Sequence, residues 1–482
     1  MFRSRDIRVL LSLSGLLVVP VILGQAQSPP APLPRQLSLA QAEDLLIQRN
    51  LTILAARFQI DANRAARLIA TYRPNPVVTV GMEQVPFYSP IKGSYPRFWN
   101  TNSDAGANPV YTVRVDNIWE RGAKRQLRTE QADFQIKASE AQMLDAVRQQ
   151  VFQLRQAFVA ATLARENLAL AETVVQEYEQ TERLTQAKVD LGDEAGLELY
   201  RARAGRLQFQ QAVLQARSVY EQATRDVLLL LGARPEEVVP AQITEVQDSK
   251  PILASSEAAG IGGARIETAS PQIGQAQVAE SLRAAPLELL WQFDNRPVTQ
   301  NVAELRSMTL EQRPDVIAAR DTLEAAERVL RLARAQRVRD VDIAYEYQRV
   351  GNDHSVGVVV QFPLFTYNNQ RAGITQAEAQ RRAAETQLKQ SELKAITEVE
   401  KAYQFYLTTK QALDLYSSQN LAQLEKLRTI ATYSYQQGAS SLIQLLDAQR
   451  YYNQALTAYN QARADYQLSL WQLEQAVGHS LR

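Results

Sequence analysis

The chain is 482 residues long and nearly neutral, with 53 Lys and Arg against 52 Asp and Glu, two histidines and no cysteine; 45% of it is hydrophobic but only 7% aromatic. Without cysteine it has no disulfide scaffold, thiol nucleophile, Cys-type zinc module or lipidated-cysteine anchor, and its charge balance speaks against a basic nucleic-acid binder. The length accommodates roughly two to four ordinary domains.

Arg3, Arg5 and Arg8 precede an apolar run from Val9 to Leu23, then Gly24-Gln25-Ala26 and a proline-rich stretch from Pro29 to Pro34. This pattern predicts a secretory signal peptide over residues 1–26, cleaved near Ala26. The alternative, an uncleaved anchor, is disfavoured because the run is short of about 20 residues and is broken by Pro20. Past residue 26 no stretch is apolar enough for a transmembrane helix. The exported product is then periplasmic, extracellular, or held in a membrane by something other than a helix.

Residues 27–232 read as a helix, strands at about 76–84 and 110–117, and a helical hairpin over 118–232. Residues 233–300, with the small-residue stretch Ala254 to Ala269, read as a partly irregular connector packed outside the helices. Residues 301–482 repeat the first pattern, with strands at about 340–349 and 355–362 and a hairpin over 366–478. Proline carries this reading, since inside a helix it costs about 3 kcal/mol: none occurs between Ile118 and Gly232, and none after Pro363. Apolar steps are helical, as in Leu144, Val147, Val151, Leu154 and Phe158, or Ile396, Val399, Tyr403 and Tyr406. Each hairpin turns at a glycine, Gly192 or Gly438, where positive φ is cheap.

Gly192 lies 246 residues before Gly438, and Gly232 lies 246 before Gly478. Upstream, an offset of 263 lays Leu54-Ala55-Ala56-Arg57 on Ile317-Ala318-Ala319-Arg320, the difference being a longer first connection from Pro86 to Pro109. The expected class is therefore mainly α with a small β part, built as a duplicated helix-strand-strand-helical-hairpin repeat.

Val341, Ile343, Tyr345 and Tyr347 alternate with Asp342, Ala344, Glu346 and Gln348; Tyr111, Val113 and Val115 alternate with Thr112, Arg114 and Asp116. Val78, Val80 and Met82 share the apolar face by the repeat offset, the faces of Ser355 to Gln361 stay unassigned, and Arg349 to His354 read as a compact hairpin turn. A soluble sheet packing one face on a core gives this alternation, and so do outer-membrane strands with aromatics near their ends, here Trp99, Trp119, Phe362 and Phe365. Four strands cannot close a barrel. If they face lipid, several protomers share one barrel, and three give twelve strands.

These residues resemble the TolC-like family of outer-membrane efflux channels over essentially the whole mature chain. The likeness rests on the duplicated layout, Pro363-Leu364-Phe365, Tyr435 followed by Gly438 and Leu445-Leu446-Asp447-Ala448, and Ala476-Val477-Gly478. Pro74-Asn75-Pro76 with Glu83, and Glu120 to Arg125, are similar to segments of the heavy-metal-efflux, CzcC-like branch. The resemblance implies a homotrimer in the outer membrane, its twelve-stranded barrel continuing into a periplasmic α-helical tunnel. It also implies a periplasmic adaptor and an inner-membrane pump as partners, with a cargo of small molecules or metal ions. Lipid would meet Val341, Ile343, Tyr345 and Tyr347, and the lumen Asp342, Glu346, Arg114 and Asp116.

By the same resemblance Asp447 stands at the tip constriction, where a ring of three carboxylates would favour cations; the plain alternative is a solvated aspartate near a helix start. Gln444 stands where relatives often have a second aspartate. Tyr435 and Glu198 match positions that tie the two hairpin tips together, Glu198 being equally readable as a surface charge, and Ser440 stands where some relatives have an arginine in that network. Arg121, Lys124, Arg125 and Arg128 read as a solvated helix face or a headgroup contact.

His354 and His479 have no neighbouring ligand type, so no metal site, cofactor or Ser-His-Asp chemistry is expected. The chain reads as a non-enzymatic duct. Its rival is a periplasmic coiled-coil structural or adaptor protein, in which the 246-residue repeat has no purpose.

Overall fold

A computed structural model describes residues 33–83, 109–238, 287–293, 297–416 and 418–481. The expected signal peptide, Trp99, the segment 84–108 and Ala254 to Ala269 lie outside the described residues.

In chain order the elements are β1 (Gln36–Ser38), α1 (Leu39–Arg49), α2 (Leu51–Thr71), β2 (Val77–Glu83), β3 (Val110–Trp119), α3 (Lys124–Asp190), α4 (Gly196–Leu230), β4 (Glu288–Leu290), α5 (Val302–Gln312), α6 (Pro314–Ala335), β5 (Val341–Val350), β6 (Asp353–Gln361), α7 (Arg371–Leu415), α8 (Ser418–Gln436) and α9 (Leu442–Val477). Leu39 and Val302 start helices 263 residues apart, as do Leu51 and Pro314; Gly196 and Leu442 start helices 246 apart. At about 1.5 Å per residue the 67-residue α3 is a rod on the order of 100 Å long.

The corner between α1 and α2 shows how one geometry is reached with two chemistries. Asn50 caps α2 by accepting from the Thr52 and Ile53 amides at 3.0 and 3.3 Å, while its Nδ2 donates to the Leu230 carbonyl at 2.9 Å. At the corner 263 residues later, Pro314 occupies the first turn of α6 in place of a capped amide. There Arg313, only 1% exposed, bridges Asp315 at 2.8 Å, pairs with Glu398 and donates to the Ala476 carbonyl.

The first arm of the later hairpin is interrupted before its tip. α7 ends at Leu415, where Tyr416 sits at φ −92° and ψ 34°, and α8 begins at Ser418. Asn420, a residue type whose side chain competes for backbone partners, donates from Nδ2 to the Leu415 carbonyl at 2.7 Å.

The principal sheet has the order β2-β3-β5-β6, all antiparallel. Arg349 pairs with His354 and Val350 with Asp353, so the turn between β5 and β6 is only Gly351-Asn352, tighter than expected, with Gly351 at φ +63°. The connector contributes a strand that the sequence did not predict: β4 pairs in parallel with β1 and buries Leu287 and Leu289.

The largest apolar cluster lies midway along the rods, where Leu37, Leu46, Ile53, Leu154, Phe158, Val227 and Leu289 meet. A second, around Leu305, Val399, Leu473 and Val477, serves the later repeat, and a small third cluster of Ala202, Tyr435, Leu442 and Leu445 holds the hairpin ends together. Among the described residues no helix is long and apolar enough to cross a membrane.

Candidate functional site

Three places gather side chains that could meet a solute or a partner: the hairpin tips, the sheet, and the junction between sheet and helices.

Both tips close by the same backbone motif. The Gly192 amide donates to the Val189 carbonyl at 3.0 Å and the Asp193 amide to Lys188 at 2.9 Å; the Gly438 and Ala439 amides do the same to Tyr435 and Ser434 at 3.1 and 2.8 Å. Gly192 and Gly438 hold φ of +82° and +74°, the left-handed conformation that satisfies the last carbonyls of a helix.

Tyr435, fully buried at the end of α8, ties this tip to the other. Its hydroxyl donates to Glu194 Oε2 at 2.8 Å and lies 2.8 Å from Thr185 Oγ1. Lys188 Nζ sits 4.2 Å from the centre of its ring and also donates to its carbonyl. Burial pushes the phenol up to about 12, the Thr185 hydrogen bond works against that, and the Glu194 carboxylate adds to it. The carboxylate in contact is thus Glu194. Glu198 bridges Arg201 on its own helix at 2.6 Å, and its second oxygen is buried without a partner. Ser440 Oγ is likewise buried without a partner.

Asp447 lies on α9 beyond the N-cap Ser441, whose Oγ accepts from the exposed Gln444 amide. Its carboxylate is 46% exposed and bridges Arg450, one turn on, at 2.9 Å. Any ring built from Asp447 therefore carries guanidinium groups beside its carboxylates. Thr185, Lys188, Glu194 and Arg450 were not singled out from sequence; the i,i+3 spacing of Asp447 and Arg450 was the one available signal.

The register assigns faces to all four strands. Val78, Val80 and Met82 pair with Val115, Val113 and Tyr111; Val113 and Val115 pair with Tyr347 and Tyr345; these pair with Val356 and Val358. Directly paired residues share a face, so Val356, Val358 and Val360 of β6 join the apolar face, which also holds Val341 and Ile343. Val80, Val113, Tyr345, Val356 and Val358 are exposed on it. Arg114, Asp116, Asp342 and Glu346 lie on the opposite face with Ser355 and Gln361, Arg114 bridging Asp116 at 2.6 Å and standing directly across from Glu346. One oxygen of Asp342 is buried without a partner.

At the junction, Lys124 is buried and donates to Asp340 Oδ2 and to the Val338 carbonyl, both at 2.8 Å, and Arg128 bridges Glu120 at 2.7 Å. Two of the four cations in the basic run are therefore internal struts, which corrects its reading as a single solvated or headgroup-facing cluster. Gly122, at φ +75°, lets the chain pass Val338, whose Cβ would be 3.1 Å from an added methyl. Among the described residues no group of three or more His, Asp or Glu is placed to hold a metal ion.

Residues 305–479 match the family model described as outer membrane efflux protein. No curated protein matches the sequence. Several solved structures match the fold over nearly the whole chain. The outer-membrane channel OprN is 20% identical, with 92% of this chain and 90% of that chain covered and a TM-score of 0.67. The CmeC outer membrane channel of Campylobacter jejuni is 15% identical, with 91% and 85% covered and a TM-score of 0.69. The outer membrane protein VceC of Vibrio cholerae is 16% identical, with 92% and 97% covered and a TM-score of 0.66.

Proposed function

We propose, from the match of residues 305–479 to the outer membrane efflux protein family, that the chain is the outer-membrane duct of a tripartite export machine. Three copies place their four strands side by side as a twelve-stranded barrel in the outer membrane. The rods continue below it as a periplasmic tunnel, loaded by an adaptor and an inner-membrane pump. The exported mature chain moves cargo passively, without catalysis of its own.

The observation that carries this reading is the sheet. Both edge strands, β2 and β6, lack an outer partner among the described residues, and one face is a continuous exposed surface of valine and tyrosine. An open edge and a greasy face are each a liability in water. Closure among copies removes the first, and lipid covers the second.

At the tip, we read the contacts of Tyr435 with Glu194 and Thr185 as the tie that holds the two hairpins together, and Asp447 with Arg450 as the charged element of the entrance. Opening moves the hairpins about the turns at Gly192 and Gly438. The segments that resemble the metal-efflux branch supply struts of the junction, through Glu120 and Lys124, and give no handle on the cargo.

Single-channel recording of the purified mature chain in planar bilayers tests the duct. Discrete openings are expected. Asp447→Ala should shift selectivity toward anions and Arg450→Ala toward cations, because each leaves the other charge unpaired at the entrance. Absence of openings from a detergent-stable protein would sink the duct, and unchanged selectivity in both variants would remove the entrance role from this pair.

A further inference from the structure

All four strands meet the helices at the same end of the sheet, since Val77 and Val341 follow helices while Trp119 and Gln361 precede them. Around that end the charge balance of the chain breaks down. Arg73, Arg121, Arg125, Arg337, Arg339 and Arg371 are all exposed, and none has a carboxylate partner among the described residues. Two of the nearby acids are already engaged, Asp340 with Lys124 and Glu120 with Arg128. A nearly neutral protein thus wears a collar of arginines at one level.

The same level carries a set of exposed aromatic rings. Tyr72 is 64% exposed, Trp119 67%, Phe362 50% and Tyr367 103%. By register Trp119 lies on the apolar face of the sheet, at its lower edge beside Val341. Rings with one apolar and one polar aspect settle at the boundary between hydrocarbon and headgroups, and long cationic side chains reach outward from the same depth.

One cleft joins the two features. A cavity of about 490 Å³ is lined by Arg73, Asn117, Trp119, Lys124, Arg125 and Gln126, among others. Lys124 is fixed by Asp340, which leaves the Arg73 and Arg125 guanidiniums as the free cations beside the indole. Guanidinium forks match phosphate oxygens in geometry, and the indole supplies a surface for the first methylenes below a headgroup.

We infer that this cleft binds the phosphate of an anionic glycerophospholipid of the periplasmic leaflet, with the arginine collar selecting such lipids around the protein. The inference rests on the outer-membrane reading above for the source of the lipid, whereas phosphate recognition rests only on the cleft.

The test uses the full mature protein in neutral detergent micelles doped with brominated phosphatidylglycerol or brominated phosphatidylcholine. Bromine quenches nearby indoles, and subtracting the Trp119→Phe signal isolates Trp119 from the other three tryptophans. Wild type should be quenched more by the phosphatidylglycerol. The double variant Arg73→Gln/Arg125→Gln should lose that excess while keeping its oligomeric state, because neither side chain supports another.

Equal quenching by both lipids in wild type overturns the selection of an anionic lipid, and with it the inference. No quenching by either means that a neighbouring protomer covers the cleft, which overturns it as well. Loss of the excess on adding inorganic phosphate at matched ionic strength leaves a phosphate site but overturns the lipid as its occupant. Bilayer conductance, measured separately, reports on the outer-membrane reading, so that failure of one is not taken for failure of the other.

Discussion

At the scale of single residues, Tyr435 is the most constrained titratable group near the tips. Its ordinary value of 10.0 is raised to about 12 by burial and by Glu194, so folding favours the neutral phenol. A group raised in this way contributes fully below the ordinary value and loses its contribution as pH climbs through the raised one. The tie between hairpins should therefore be indifferent to pH up to about 10 and weaken between there and about 12. An ultraviolet difference titration of wild type against Tyr435→Phe should show one phenol per protomer ionising near pH 12; ionisation at the ordinary value would mean that the buried contact does not form in solution. The phenylalanine should also cost about 1–2 kcal/mol, since Glu194 loses a donor while Thr185 keeps the Thr181 carbonyl.

At the scale of elements, the four glycines that end helices fall into two classes. Gly192 and Gly438 have open space where a Cβ would be, so only the left-handed backbone demands glycine there. Gly232 and Gly478 have the same backbone demand, and an added Cβ would also lie 3.0 Å from the Arg49 carbonyl and 3.1 Å from Arg313 Cα. Alanine at the tips should cost about 1–2 kcal/mol, the ordinary penalty of that conformation. At Gly232 or Gly478 it should cost more, because two helix ends must separate as well. Thermal midpoints of the four variants give the order, and equal losses would contradict it.

These glycines also mark what sequence could and could not disclose. Their spacing and the proline-free stretches made the rods legible, because helix ends and helix interiors have strong local rules. The strand pair β1 and β4 was hidden, since three residues carry no periodicity and Gln36 finds its partner at Glu288, 252 residues away. The faces of β6 were equally hidden: Val358, Val359 and Val360 are apolar on both sides, and only pairing with Tyr345, Ala344 and Ile343 decides which side each takes. At the tip, Glu194 and Glu198 are both within reach by sequence, and the turn at Gly192 selects the first.

At the scale of the whole molecule, an apolar sheet face has two physical fates, contact with lipid or contact with another protein layer, and a charge placed on each face separates them. Val358 is 62% exposed at the middle of β6 on the face shared with Tyr345, whereas Ser355, three residues earlier, lies on the face shared with Gln348. In a barrel whose apolar face meets hydrocarbon, arginine near the midplane costs about 2–4 kcal/mol, and on the lumen side it is solvated. Val358→Arg should therefore deplete the heat-sensitive oligomer from the outer-membrane fraction, while Ser355→Arg leaves its yield near that of wild type. In a soluble layered sheet the apolar face packs on protein, so Val358→Arg would cause unfolding and proteolysis even when the chain is refolded without lipid or detergent. Refolding of Val358→Arg in detergent to a stable oligomer that then fails to enter bilayers would show that the penalty belongs to the lipid contact and not to the fold.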